Sequence, residues 1–179
     1  RDGQVDGEDP FPAIRAGRFV VSYLNSWNAA DKPEGAEAYG SLVQAFQIAN
    51  ARNTNADPSD DVADVWVAAG SEAGNFVTFP AGNVKVYGGF QVGDTLFGQR
   101  DPDPMTNGTV IDEPITFPGS PGLDPVGTLD GFTITCISGD PAMYAPGGRV
   151  SLRNLLVVGN DSGSIDRAAL VVGFEFATN

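Results

Sequence analysis

The sequence contains no histidine, one cysteine and only two lysines in 179 residues. Without an imidazole, Ser-His-Asp and Cys-His nucleophile systems and histidine-ligated metals are excluded. The single thiol, Cys136, allows no internal disulfide, and its place in the apolar run from Phe132 to Ile137 marks it as a small buried hydrophobe. No run approaches the roughly 18 apolar residues that a helical membrane span needs. Positive charge is equally scarce. Lys+Arg 10 against Asp+Glu 23 leaves a net charge of −13, which repels nucleic acid and anionic lipid. No secretory leader stands at the front, yet the chain opens on Arg1 and not Met, as processing or trimming would leave.

What is abundant is turn chemistry: 23 Gly and 13 Pro, with few of the residues that fill helix surfaces. That composition points to an all-β domain. One short strand is written twice. Thr128-Leu129-Asp130-Gly131-Phe132-Thr133-Ile134 aligns without a gap on Ser151-Leu152-Arg153-Asn154-Leu155-Leu156-Val157, each residue 23 positions on. A repeat of that length, made of a strand and loops, cannot bury its apolar face alone and must stack on copies of itself. Stacked in parallel, such coils form a single-stranded β-helix, or solenoid. Val65-Trp66-Val67 against Val84-Lys85-Val86, and Val110 against Leu129, suggest further pairs 19 residues apart.

Taken in order, residues 1–17 read as an extended acidic arm without a core, and residues 18–179 as the β-helix domain. Within that domain, residues 18–56 form an N-terminal cap and 62–179 the coils. Arg18 to Leu24 is the first strand. Tyr39 to Asn53 is the one expected helix, capped by Ser41 with Gln44 in the capping-box position, and with Leu42, Ala45, Phe46 and Ala49 on one face. Such a helix would cover the open first coil. Strands are expected at 65–69, 76–79, 84–90, 109–111, 129–137, 150–158 and 169–176, with no helix-length segment between them.

The order Ser26-Trp27, the helix Tyr39-Gly40-Ser41-Leu42-Val43-Gln44-Ala45, Asp64 to Gly70, Val84 to Phe90, Arg100-Asp101-Pro102, Leu129 to Ile134 and Leu152-Arg153-Asn154 carries a resemblance. Over roughly residues 18 to 160 the chain resembles secreted bacterial right-handed parallel β-helix proteins of the pectin-lyase-like superfamily, in their polymorphic-outer-membrane-protein and adhesin-like branch. The resemblance implies a right-handed coil and an extracellular or cell-surface location. It also implies an alternative role as an adhesion or glycan-binding module.

Enzymatic chemistry is the weaker expectation. Asp101, Asp103, Asp112 and Asp130 could supply the paired carboxylates of a polysaccharide hydrolase or lyase, with Arg100 or Arg153 as the basic group. No catalytic residue and no cofactor is assigned. Asp57 to Asp64, and Asp161 with Asp166, are weak Ca²⁺ candidates, because closely spaced oxygens suit a hard cation. Asn107 and Asn160 stand in N-glycosylation patterns. Trp66 and Tyr87 suit core packing better than a sugar platform.

The last expected strand is apolar and lacks a C-terminal cap, whereas the first coil has a helical lid. An asymmetric stack of this kind favours head-to-tail self-association into a filament or surface layer. The residues assigned to that contact are Phe11, Ile14, Phe19, Val21 and Tyr23 at the front and Leu170, Val172, Phe174 and Phe176 at the back. The partner is another copy of the chain, with glycans or other surface components as further candidates.

Overall fold

The computed structural model describes residues 17–23, 27, 32–73, 76–118, 125–135, 142–145, 149–158 and 170–172. The chain is mostly parallel β-structure curled around a common interior, with one α-helix among the described residues. Its strands fall into three stacks, which the chain, from residue 64 on, visits in the same order on each circuit.

The first stack begins with β1 (Arg18–Val21), paired on one side with β2 (Glu37–Tyr39) and on the other with β3 (Asp64–Ala68). It continues through β6 (Gly82–Phe90), the first half of β9 (Pro125–Thr135) and the first half of β11 (Arg149–Val158). The second stack is β4 (Gly70–Glu72), β7 (Thr109–Ile111) and the second halves of β9 and β11. The third stack is β5 (Val77–Thr78), β8 (Ile115–Thr116), β10 (Met143–Ala145) and β12 (Leu170–Val172). Every pairing is parallel. Only β2 and β3, on either side of β1, are joined through an α-helix among the described residues; from β3 on, parallel neighbours are linked through strands of the other stacks.

The 23-residue match is the true register: Leu152 pairs with Leu129, Leu155 with Phe132 and Val157 with Ile134. The two 19-residue matches need correction. Val65 pairs with Val86, and Val110 with Thr133. The first is a slip of two residues, which leaves the inward face unchanged because side chains alternate with period two. The second is a face error, and its cause is a bend inside β9. Gly131 has φ 83°, and Asn154, at the equivalent place in β11, has φ 45°. A single left-handed residue turns the strand from the first stack into the second, and Gly and Asn are the residues that tolerate it. After the bend the alternation restarts, so Leu129, Phe132 and Ile134 all point inward and all are fully buried.

Columns of like side chains fill the interior. Phe19, Val65, Val86 and Leu129 succeed one another at 0% exposure along the first stack, and Val77, Ile115 and Met143, each buried, follow one another along the third. A second apolar cluster lies on the outer face of the first stack. Trp66 stacks on Phe90 at 4.4 Å with rings 8° apart, Trp27 and Phe97 close around them, and the Arg18 guanidinium sits 3.9 Å over the Trp66 ring. Trp66 is completely buried there, so it offers no sugar-stacking surface.

Helix α1 (Leu42–Asn53) begins three residues later than its pattern suggests, because Tyr39 is spent in β2. Ser41 caps it, accepting from the Gln44 amide at 3.4 Å, and Leu42, Ala45, Phe46 and Ala49 are its buried face. Strands β2, β4, β8 and β10 are too short to show a hydrophobic period and were not foreseen. The division of the chain into arm, cap and coils stays an expectation from sequence.

Candidate assembly interface

The two ends of the first stack differ in how their edges are finished. At the front, α1 lies over the first coil and is tied to it at both termini. Glu72, buried in β4, receives the Leu42 amide at 2.8 Å and the Ser41 hydroxyl at 3.1 Å. A carboxylate set against the first turn of a helix satisfies otherwise orphaned N–H groups and opposes the helix dipole favourably. At the other terminus Asn53 donates to the carbonyls of Val62 and Ala81, both at 3.1 Å, and accepts from the Val62 amide at 2.6 Å; Asn50 accepts from the Ala81 amide. Phe46 meets Phe79 edge-on at 5.6 Å beneath the helix.

Tyr23 belongs to the same corner. Its hydroxyl is shut off from solvent without a hydrogen-bond partner among the described residues. Burial, reinforced by the Glu72 charge, pushes the phenol well above its usual range. On the rim, Arg52 pairs with Glu37 at 2.8 Å, which holds the Glu37 carboxyl below its ordinary value. Burial and the Glu37 hydrogen bond raise Tyr39 to about 12.

The far end has no such lid among the described residues. Strand β11 runs ten residues and, among the described residues, pairs along one edge, with β9. Burial falls away at the end of the inner columns: Leu129 is 0% exposed, and Leu152, the next rung, is 39% exposed. Leu155 and Val157 are likewise half-buried where Phe132 and Ile134 are sealed. An unpaired strand edge over an uncovered apolar rung is a template for another strand.

Of the front residues assigned from sequence, Phe19, Val21 and Tyr23 are among the described residues. Phe19 and Val21 are at 0% exposure inside the core, and β1 is paired on both edges, so this strand provides no free edge; Tyr23 is half-buried against the same core. The front edge is β2 instead, short and charged, the form in which sheet edges resist pairing. Leu170 and Val172 form β12 beside β10. Phe11, Ile14, Phe174, Phe176, Cys136, Asn160, Asp161 and Asp166 lie outside the described residues.

Of the carboxylates considered for catalysis, Asp130 is brought together with Arg100. They meet at 3.0 Å, nearly buried, and Asn154 donates to the same carboxylate at 2.8 Å. The Arg100 guanidinium also lies 5.1 Å over the Tyr87 ring and 5.3 Å over Phe97. Arg153, paired in register with Asp130, points outward and binds Ser151 through Nε. Asp101 accepts from Thr106 and from the Asp103 amide, which lowers its pKa; Asp103 accepts from the Met105 amide, and Asp112 from Thr135. Each carboxylate is spent holding its own turn or coil.

Asn107 is also structural. It is 2% exposed, donates to the carbonyls of Asp101 and Gly131 at 3.1 and 3.0 Å, and accepts from the Thr109 amide at 2.8 Å. A glycan on that nitrogen requires the loop to open. In the acidic loop after α1, Asp57 caps the turn at Ser59, Asp60 takes the Asn55 amide and Asp64 pairs with Arg18 at 3.4 Å. Among the described residues no three carboxylates converge on a metal position. A groove of about 280 Å³ runs between α1 and the third stack, lined by Val43, Phe46, Phe79 and Pro118, with Phe76 exposed beside it.

Glu72 escaped the sequence reading, since one acid in a three-residue strand has no pattern to mark it as buried. Comparisons with protein-family models, curated proteins and solved structures found no match.

Proposed function

We propose that this protein is a structural subunit that associates with copies of itself through the β11 end of the stack. In this reading the three stacks are the faces of a right-handed parallel β-helix, as the sequence resemblance implies. The β11 edge, which has no partner beyond β9 among the described residues, with the partly exposed rung at Leu152, is where a further coil is added by a second copy. The protein acts outside the cell or at its surface, and its product is a filament or layer rather than a reaction. The observation that carries the reading is the fall in burial from Leu129 to Leu152 within one column, opposite a front end closed by α1 and its Glu72 and Asn53 anchors. A partly exposed apolar rung gains roughly 25 cal/mol for each Å² of apolar surface that a neighbour covers.

Sizing by light scattering over a hundredfold concentration range, with negative-stain microscopy of the concentrated sample, tests the proposal. Species that grow with concentration and appear as extended particles are expected. A monodisperse monomer throughout removes it.

A further inference from the structure

We infer that association through β11 is polar, with the basic tail of one copy steered onto the acidic lid end of the next. This rests on the self-association proposed above and adds its direction and its control by salt. The protein is strongly acidic, but the charge is not spread evenly. Strand β11 carries Arg149 and Arg153 and no acidic residue. Both are exposed, and neither enters an ion pair among the described residues, whereas Arg18, Arg52 and Arg100 are each bound to a carboxylate. At the opposite end, residues 32–62 hold Glu34, Glu37, Asp57, Asp60 and Asp61 against Lys32 and Arg52. Glu34 and Asp61 are exposed there.

Among the described residues, the two extremities of the first stack therefore carry opposite charge. Tail against tail brings four guanidinium groups together, and lid against lid repeats an acidic surface. Tail against lid alone brings unlike charges together. Complementarity of this kind acts mainly on encounter rate and on the choice of partner surface. It also selects a heterologous contact, which grows openly, over a two-fold symmetric one that stops at a dimer. Because exposed charges act over a distance set by ionic strength, assembly responds to salt: the screening length falls from about 30 Å at 0.01 M to about 3 Å at 1 M.

The test compares growth rates, by light scattering, of the wild-type chain and two variants, R149E/R153E and E34K/D61K, at low and high salt. Circular dichroism melts confirm that all three are folded. The wild type is expected to slow at least tenfold between about 0.01 M and 1 M salt, within the range typical of electrostatic steering. Each variant alone should grow at least tenfold more slowly than wild type at low salt. Mixed in equal amounts, they should recover growth, since the reversed tail of one then faces the reversed lid of the other. Wild-type growth that ignores salt, or variants that grow normally alone, or a folded pair that fails to recover on mixing, overturns the inference while leaving self-association in place. A wild type that stays monomeric at every salt concentration overturns the underlying reading instead.

Discussion

Truncating Leu129 and Leu152 to alanine, one at a time, places the same chemical change at two rungs of one column. Leu129 is fully enclosed, between Val86 on one side and Leu152 on the other. Removing it forfeits the transfer free energy of the lost carbons and leaves a cavity that the rigid coils above and below cannot close. The expected cost is about 3–4 kcal/mol, in the range measured for enclosed leucines. Leu152 keeps 39% of its surface in water, so only about 60% of a transfer value near 2 kcal/mol is at stake, and solvent refills the gap. Its loss should cost about 1 kcal/mol. For a chain of this size the difference corresponds to roughly 5–10 °C in melting temperature. Urea unfolding followed by tryptophan fluorescence reads it directly, because Trp27 and Trp66 are both buried and both become exposed on unfolding. In dilute protein the two variants should separate as stated. At high protein concentration the Leu152→Ala penalty should grow, as the rung becomes covered in the wild type. Equal penalties in dilute solution would mean that Leu152 is as enclosed as Leu129, and the argument for an unfinished end would fail.

Three further outcomes follow from the anchors and buried charges. Glu72→Ala strips the Leu42 amide and Ser41 hydroxyl of their acceptor and should cost about 2–4 kcal/mol; hydrogen exchange should show the first turn of α1 opening before the coils do. Arg100→Met leaves the Asp130 carboxylate unpaired at a nearly buried site and should destabilise by about 3–5 kcal/mol, whereas R100M/D130L should recover much of that loss in a denaturant series. Tyr23 and Tyr87 have raised folded-state pKa values and Tyr39 stands at about 12, against 10.0 for a free phenol. The folded state thus holds protons that the unfolded state has released. Stability is intact below pH 10 and should fall as the pH rises from 10 to 12; in a Tyr144→Phe background, which removes the exposed phenol, phenolate absorbance that appears well before the unfolding transition would contradict this.

Much of the architecture was legible because it is periodic. The match between residues 128–134 and 151–157 contains its own bend, Gly131 over Asn154, so the gapless alignment carried the register across the corner. Val110 over Leu129 failed because it set a residue of the second stack on one of the first, and nothing in a β-branched triplet tells the two apart. The helix was readable from its cap and buried face, which are local. The lid anchors were not: Glu72 and Ser41 are 31 residues apart, and their contact exists only once the coil has closed. The front edge was misplaced for a similar reason. Glu37–Tyr39 has no strand pattern of its own and becomes a strand by pairing with β1, which withdraws Phe19 and Val21 from any outside partner.

The corner between the first two stacks also decides where this polypeptide can gain or lose residues. One residue, Ala69, links β3 to β4, and the chain turns the same corner within β9 and within β11 without leaving the strand. Between β6 and β7, however, residues 91–108 swing outside before rejoining the stack. Length at that corner is decoupled from the inner columns, so foreign peptide inserted beside the exposed Met105 should be carried on the flank while the rungs keep their spacing. A parallel stack with one enlarged corner among its described circuits can thus change what it displays without changing how it stacks.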